Sequence, residues 1–203
     1  MIKTIILDLG GVIVPLDFEK GFAAIAGRCP YPPSEIPKLI GGTDLVAEFE
    51  CGRIDGDAFI ERLSTLLKLK VEREEFFRLW NSIFVLESLI PEGLLQALRK
   101  NYRMLLLSNT NILHFSMPRD AFPLLGHFDD YVLSYEVGAM KPSPKIYREA
   151  ISRARCRPQE CFFTDDVATY IEAAKREGID AVQFRSLEQL KTDLRARNVV
   201  WEE

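Results

Sequence analysis

The sequence predicts an α/β protein: a doubly wound parallel sheet with a small helical unit inserted after the first strand. Three observations lead there. Short apolar runs recur at Thr4-Ile5-Ile6-Leu7, Met104-Leu105-Leu106-Leu107 and Cys161-Phe162-Phe163-Thr164, the signature of strands buried on both faces. Helical patterns separate these runs from residue 91 onward, which implies parallel strands joined by crossover helices. The long stretch from Asp17 to Phe84 carries helical spacing and no strand pattern.

Taken in chain order, the first strand is Thr4 to Leu7, followed by Asp8-Leu9-Gly10-Gly11-Val12-Ile13-Val14. The opening Met-Ile-Lys and its apolar sequel have some likeness to a signal peptide. Asp8 interrupts the run and no small-residue cleavage site follows, so the segment reads as a strand. In the insertion, Phe59, Ile60, Leu63, Leu66 and Leu67 form one helical stripe with Asp57 as its cap; Phe76, Phe77, Trp80 and Phe84 form another. Most of these aromatics should make a small helical core. Pro91 to Lys100 reads as a helix and Tyr131 to Ser134 as the third strand. Ser143-Pro144 starts a helix, with Ser as cap and Pro at its first position. Ile171 to Glu177 is helical and stops at Gly178, Ala181 to Phe184 is the fifth strand, and Ser186 with Gln189 has capping-box spacing for the last helix.

Composition narrows the function classes. A chain of 203 residues with 47% apolar residues suffices for one α/β core and an accessory unit. A net charge of −4, without basic runs, argues against nucleic acid as a partner. No apolar stretch is long enough to span a bilayer, so no membrane partner is expected. Cys29, Cys51, Cys156 and Cys161 show neither C-x-x-C nor zinc spacing and read as reduced thiols of a cytoplasmic protein.

The strand ends carry the chemistry. Asp8 follows the first strand beside paired glycines, which permit a sharp turn and close approach of a ligand. A carboxylate there is costly to bury unless a metal or donors meet it. The second strand ends in Ser108-Asn109-Thr110-Asn111, the fourth in Asp165-Asp166, and Lys141 lies on a loop punctuated by Gly138 and Pro142. Ligands of open α/β sheets bind beyond the carboxyl ends of the strands, so these groups should converge. Alone, Ser108 would read as a helix cap and Lys141 as a solvated loop charge. In one ordered set with Asp8 and Asp165 they read as parts of one converging site.

That ordered set resembles the haloacid dehalogenase-like hydrolase superfamily, whose motifs are a strand-end Asp, a Ser or Thr, a Lys and an acidic pair. The resemblance runs from Ile5 to about Phe184. Asp8 to Val14, with Ser108-Asn109-Thr110-Asn111 and His114, is most similar to a bacterial α-glucose-1-phosphate phosphatase-like branch. The resemblance implies a Rossmann-like core of residues 1–14 and 89–203 and a helical cap of residues 15–88 that closes over the site. It implies a phosphatase of a small phosphorylated metabolite, a sugar phosphate, working through an aspartyl-phosphate. Asp8 would be the nucleophile, and Asp8, the Gly10 carbonyl, Asp165 and Asp166 would surround Mg2+. Ser108, Lys141 and the backbone N–H groups of Asn109, Leu9 and Gly10 would bind phosphate. His114 is expected at the pocket rim or in a structural role.

Two positions depart from the common pattern. Most phosphatases of this family carry a second Asp two residues after the nucleophile, for proton transfer; here that position is Gly10. Asp17 is a candidate substitute, although it also reads as a helix cap. Slower turnover and a preference for good leaving groups, such as anomeric, aryl or acyl phosphates, are the expected consequence. Tyr170 stands where relatives commonly have Asn, which alters the support of the acidic loop. Two alternatives follow: a metal-independent haloacid dehalogenase, and a phosphatase-like protein that binds a phosphorylated ligand with little turnover. Gly10 and the intact Asp165-Asp166 pair favour the phosphatase over the dehalogenase. Asp17, Phe18, Phe49 and Arg53 are candidates to face the substrate.

Overall fold

A computed structural model describes residues 1–202. Five parallel strands, β1 (Thr4–Leu7), β2 (Arg103–Ser108), β3 (Asp130–Leu133), β4 (Cys161–Asp165) and β5 (Asp180–Gln183), form one sheet in the order β3-β2-β1-β4-β5. In β1 all four side chains are buried, as a strand covered on both faces requires. Alternate residues enter opposite cores. Ile5, Leu7, Met104, Leu106 and Phe162 pack into one cluster, and Ile6, Leu105, Leu107, Phe163 and Ala181 into the other. The first cluster is completed by Leu94, Leu95, Leu190 and Leu194, and the second by Ile146, Tyr147, Ala150, Ile171 and Ala174. The sheet is therefore doubly wound.

The insertion after β1 holds five helices among the described residues: α1 (Phe18–Ala26), α2 (Ile36–Gly41), α3 (Leu45–Glu50), α4 (Gly56–Leu67) and α5 (Arg73–Trp80). They gather around their own apolar cluster, in which Phe49 stacks on Phe59 at 4.2 Å and Trp80 meets Phe59 edge-on at 4.9 Å. Two expectations are corrected here. The cap of α4 is Asp55, whose carboxylate accepts from Ala58 N at 2.8 Å, whereas Asp57 lies in the first turn and pairs with Arg73. Phe84 is not on the stripe of α5. The helix ends at Trp80, a short 3-10 turn follows, and Phe84 is extended and bridged to Leu16. One extended pairing thus ties the two ends of the insertion together.

The core continues with α6 (Glu92–Arg99), α7 (Ile112–Ala121), α8 (Ser134–Val137), α9 (Pro144–Ala154), α10 (Ala168–Arg176) and α11 (Leu187–Ala196). Ser143 caps α9 with Pro144 at the first helical position, and Gly178, at φ 84°, follows α10. Ser186 caps α11 by accepting from Gln189 N, but Gln189 Oε1 reaches Arg185 N. Among the described residues no helix is long and apolar enough to cross a membrane.

Candidate active site

The chain reverses direction across the sheet between β1 and β4, and the crevice beyond their carboxyl ends is where a doubly wound sheet places its ligand. Asp8 follows β1 and Asp165 ends β4 at that point. The turn after β1 is tight. Leu9 O accepts from both Ile13 N and Val14 N, Gly11 N donates to Val14 O, and Gly11 sits at φ 75°. A side chain at Gly11 would also overlap the Asp166 carboxylate, so this glycine is required twice over.

Lys141 joins the two aspartates. Its Nζ lies 2.9 Å from Asp8 Oδ1 and 2.5 Å from Asp165 Oδ2, and donates to Leu107 O at 3.2 Å. All three side chains are at least nine-tenths buried. Burial opposes the lysine charge, but attraction to Asp8 and Asp165 outweighs it and raises the Lys141 pKa. Burial pushes Asp8 up to about 7, against the pull of Lys141. Asp8 Oδ1 also accepts from Leu9 N at 2.7 Å. One carboxylate oxygen is therefore held by two donors, while Oδ2 has no hydrogen bond among the described residues, a suitable arrangement for attack on an electrophile.

Asp8, Asp165 and Asp166 each offer an oxygen within 4.8 Å of the others. Three hard carboxylate oxygens in that space fit a divalent cation of the Mg2+ type. Asp165 Oδ1 is oriented by Val167 N at 2.8 Å. The Gly10 carbonyl accepts no hydrogen bond among the described residues and adjoins this cluster in sequence.

Ser108 is buried at the end of β2, its hydroxyl making only a long contact of 3.4 Å to Asn109 O. Asn109 lies two residues before Asn111, the cap of α7, so its N–H is outside the helix terminus proper. Its side chain does what the sequence did not reveal. Asn109 Oδ1 accepts from Lys141 N at 2.7 Å, and Nδ2 donates to Lys141 O at 3.0 Å. Ser134, also unforeseen, braces the neighbouring loop: its hydroxyl accepts from Thr110 N and donates to Thr110 O, both at 2.9 Å. Tyr170 lies against the lysine, with Nζ 5.3 Å from its ring centre and its hydroxyl 3.5 Å from Asn109 Nδ2.

Above the strand ends is a cavity of about 140 Å3 lined by Gly10, Leu16, Phe18, Glu50, Ser108, Asn109 and His114 among others. It adjoins a second, of about 200 Å3, that shares Phe18, Glu50, Ile83 and His114. Of the insertion residues singled out from sequence, Phe18 lines this space. Phe49 is in the helical core, Arg53 is exposed, and Asp17 caps α1 through Lys20 N at 2.8 Å. His114 stacks on Trp80 at 4.6 Å, and its Nε2 is 3.1 Å from Trp80 O. Since a carbonyl only accepts, Nε2 carries the proton. Burial lowers the His114 pKa to about 4, so the ring is neutral.

Glu50 is the polar group that sequence reading overlooked. It ends α3 on the same face as Val46, four residues earlier, and both line the second cavity. A carboxylate in register with an apolar face was the available signal.

The fold and the site can be set beside known proteins. The chain is 31% identical to the D-ribitol-5-phosphate phosphatase of Bacteroides thetaiotaomicron, over 90% of this chain and 92% of that protein. A crystal structure of a haloacid dehalogenase family enzyme from the same bacterium, in complex with magnesium and inorganic phosphate, superposes with a TM-score of 0.81 at 29% identity. It covers 92% of this chain and 96% of that one. The L-2-haloacid dehalogenase of Xanthobacter autotrophicus shares the fold, with a TM-score of 0.65 at 17% identity over 98% of this chain and 85% of its own. The family model described as haloacid dehalogenase-like hydrolase matches residues 2–178, and the chain belongs to that family.

Proposed function

We propose that this chain is a Mg2+-dependent phosphatase that hydrolyses a small phosphorylated metabolite, a sugar or polyol phosphate, through an aspartyl-phosphate on Asp8. The observation that carries the reading is the buried ion triad of Asp8, Lys141 and Asp165 beside the Asp166 carboxylate. Asp8 Oδ2 is the free oxygen for attack on phosphorus. Lys141 holds the other Asp8 oxygen and offsets negative charge in the site, and Ser108, which lines the cavity above the strand ends, would donate its hydroxyl to phosphate. The Asn109 and Gly10 N–H groups complete the cradle. Leu9 N–H, engaged by Asp8 here, is released to phosphate as Asp8 reacts. Mg2+ held by Asp8, Asp165, Asp166 and the Gly10 carbonyl would offset the charge of nucleophile and phosphate and orient the ester.

Similarity to the ribitol-phosphate enzyme and to the family structure with magnesium and phosphate supports both the reaction class and the metal. The small cavities suit a small leaving group. Trp80 lines the second of them, and its buried Nε1 has no hydrogen-bond partner among the described residues, a donor suited to a substrate hydroxyl. Residues 15–88 serve as the cap, closing to exclude water from the phosphoenzyme. The thiols of Cys29, Cys51, Cys156 and Cys161 are free, in keeping with a cytoplasmic setting. Phosphate release from a panel of polyol 5-phosphates, aldose 1-phosphates, aldose 6-phosphates and nucleotides tests the substrate class. Sugar or polyol phosphates should give the highest kcat/KM; a nucleotide at the top would overturn that part of the reading.

A further inference from the structure

The reaction proposed above needs a proton at the leaving oxygen, and Gly10 has none to give. A Cβ on Gly10 would lie 2.8 Å from Leu16 Cδ1, the flexible end of a side chain that would have to shift to admit it. Other candidates near the site are engaged. Asp17 is spent on its helix cap, Asp166 stands with the acidic cluster, and His114 is neutral with Nε2 tied to Trp80 O and Nδ1 3.3 Å from Asn111 Nδ2.

We propose that Glu50 is the general acid and base of this site, delivered from the inserted helical unit rather than from the loop after β1. This assignment rests on the aspartyl-phosphate reading of Asp8. Glu50 lines both cavities, and in the first it shares the lining with Gly10, Ser108, Asn109 and Thr110. It makes no hydrogen bond or ion pair among the described residues, which is unusual for a carboxylate mostly withdrawn from water. Its position is fixed from behind. Gly52 turns the chain at φ 64° so tightly against α8 that an added Cβ would overlap the Tyr135 carbonyl oxygen. Neutral His114, from α7, lines both cavities with it, and Lys141, from the loop before α9, acts on it through its charge. Burial, only partly offset by Lys141, pushes the Glu50 pKa up to about 7, which keeps a proton available near neutrality.

The steps balance. In the first, an Asp8 oxygen bonds to phosphorus, the bond from phosphorus to the ester oxygen breaks, and the Glu50 proton passes to that oxygen, releasing the alcohol. In the second, water attacks phosphorus, its proton passes to the Glu50 carboxylate, and the bond to Asp8 breaks. Inorganic phosphate leaves, with Asp8 ionised and Glu50 protonated again. Alkyl esters, whose leaving alkoxide needs that proton, are thereby brought within reach.

The test compares the parent, Glu50→Gln and Asp8→Asn with Mg2+, on ribitol 5-phosphate and on p-nitrophenyl phosphate, whose leaving group needs no proton. For Glu50→Gln, kcat on the alkyl ester should fall by about 100-fold or more. On the aryl ester it should release about one equivalent of p-nitrophenol per site rapidly and then turn over slowly, because the second step lacks its base. Parental turnover on both esters, a loss confined to KM, or loss of the burst with parental thermal stability would overturn the assignment of Glu50 alone. Should Glu50→Gln not fold, Glu50→Ala, which also lacks the carboxyl, carries the test. A full burst with reduced alkyl-ester turnover supports the assignment, and parental rates on both overturn it. A parent that is inactive, or as active as Asp8→Asn, would instead overturn the aspartyl-phosphate reading, and Glu50 with it.

Discussion

The Asn109 side chain grips the backbone of Lys141 from both sides, accepting from its N–H at 2.7 Å and donating to its carbonyl at 3.0 Å. These residues are 32 positions apart, and this reciprocal pair is what holds the lysine loop against the end of β2. Asn109→Ala removes both bonds. A small displacement of a charged group from its productive place can cost about 100-fold in rate. We expect kcat to fall by about 10- to 100-fold with thermal stability only modestly reduced, measured by steady-state kinetics and calorimetry. Parental kcat would show that the loop is held by other contacts.

Lys141→Met leaves two buried carboxylates facing each other without a cation. Breaking a buried ion pair by removing one partner costs about 3–5 kcal/mol, because the remaining charge stays uncompensated. Without added metal, unfolding in denaturant should show a loss of this size. Mg2+ at saturating concentration should restore part of it, since the cation would sit between the same carboxylates. A variant as stable as the parent without metal would contradict the buried triad.

Gly52→Ala tests the geometry behind Glu50 without touching the site. The left-handed φ of 64° disfavours any side chain, and the Tyr135 carbonyl occupies the space a Cβ needs. We expect a lower melting temperature and reduced kcat, as the end of α3 is pushed away from the core. A parental melting curve would mean that the turn relaxes freely.

Glu50 also predicts a dependence of stability on pH. Its carboxyl is raised from the ordinary 4.5 to about 7 in the folded state, so the folded protein binds the proton more tightly than the unfolded chain. Its contribution is most favourable below about 4.5 and is lost as pH rises through 7. At about 1.4 kcal/mol per pH unit over the interval from 4.5 to about 7, the loss is at most about 3–4 kcal/mol. Glu50→Gln should flatten the stability curve between pH 5 and 8, measured by denaturant unfolding at fixed ionic strength. Parallel curves for parent and variant would contradict the burial of this carboxyl.

Much of the fold was legible because buried parallel strands announce themselves as apolar runs, and this chain ends three of them in chemistry-bearing residues. Asp8, Ser108 and Asp165 could be placed on strand ends for that reason, and the structure brings all three to one crevice with Lys141. What escaped depends on contacts between distant segments. No spacing signals that the Asn109 amide reaches Lys141, or that Ser134 braces Thr110. Glu50 was hidden because its neighbour Phe49 dominates the pattern of α3, and the rotation of about 100° between adjacent helical residues decides which of them meets the cavity. Phe84 fitted a helical stripe by spacing alone, but the chain had already left the helix at Trp80 to pair with Leu16.

The central claim, a metal-dependent phosphoenzyme on Asp8, is tested most directly by hydrolysis of p-nitrophenyl phosphate with Mg2+, with EDTA, and with Asp8→Asn. The account predicts activity with Mg2+ that is lost in EDTA, restored by excess Mg2+ and absent in the variant. Activity that survives both EDTA and Asp8→Asn would contradict it.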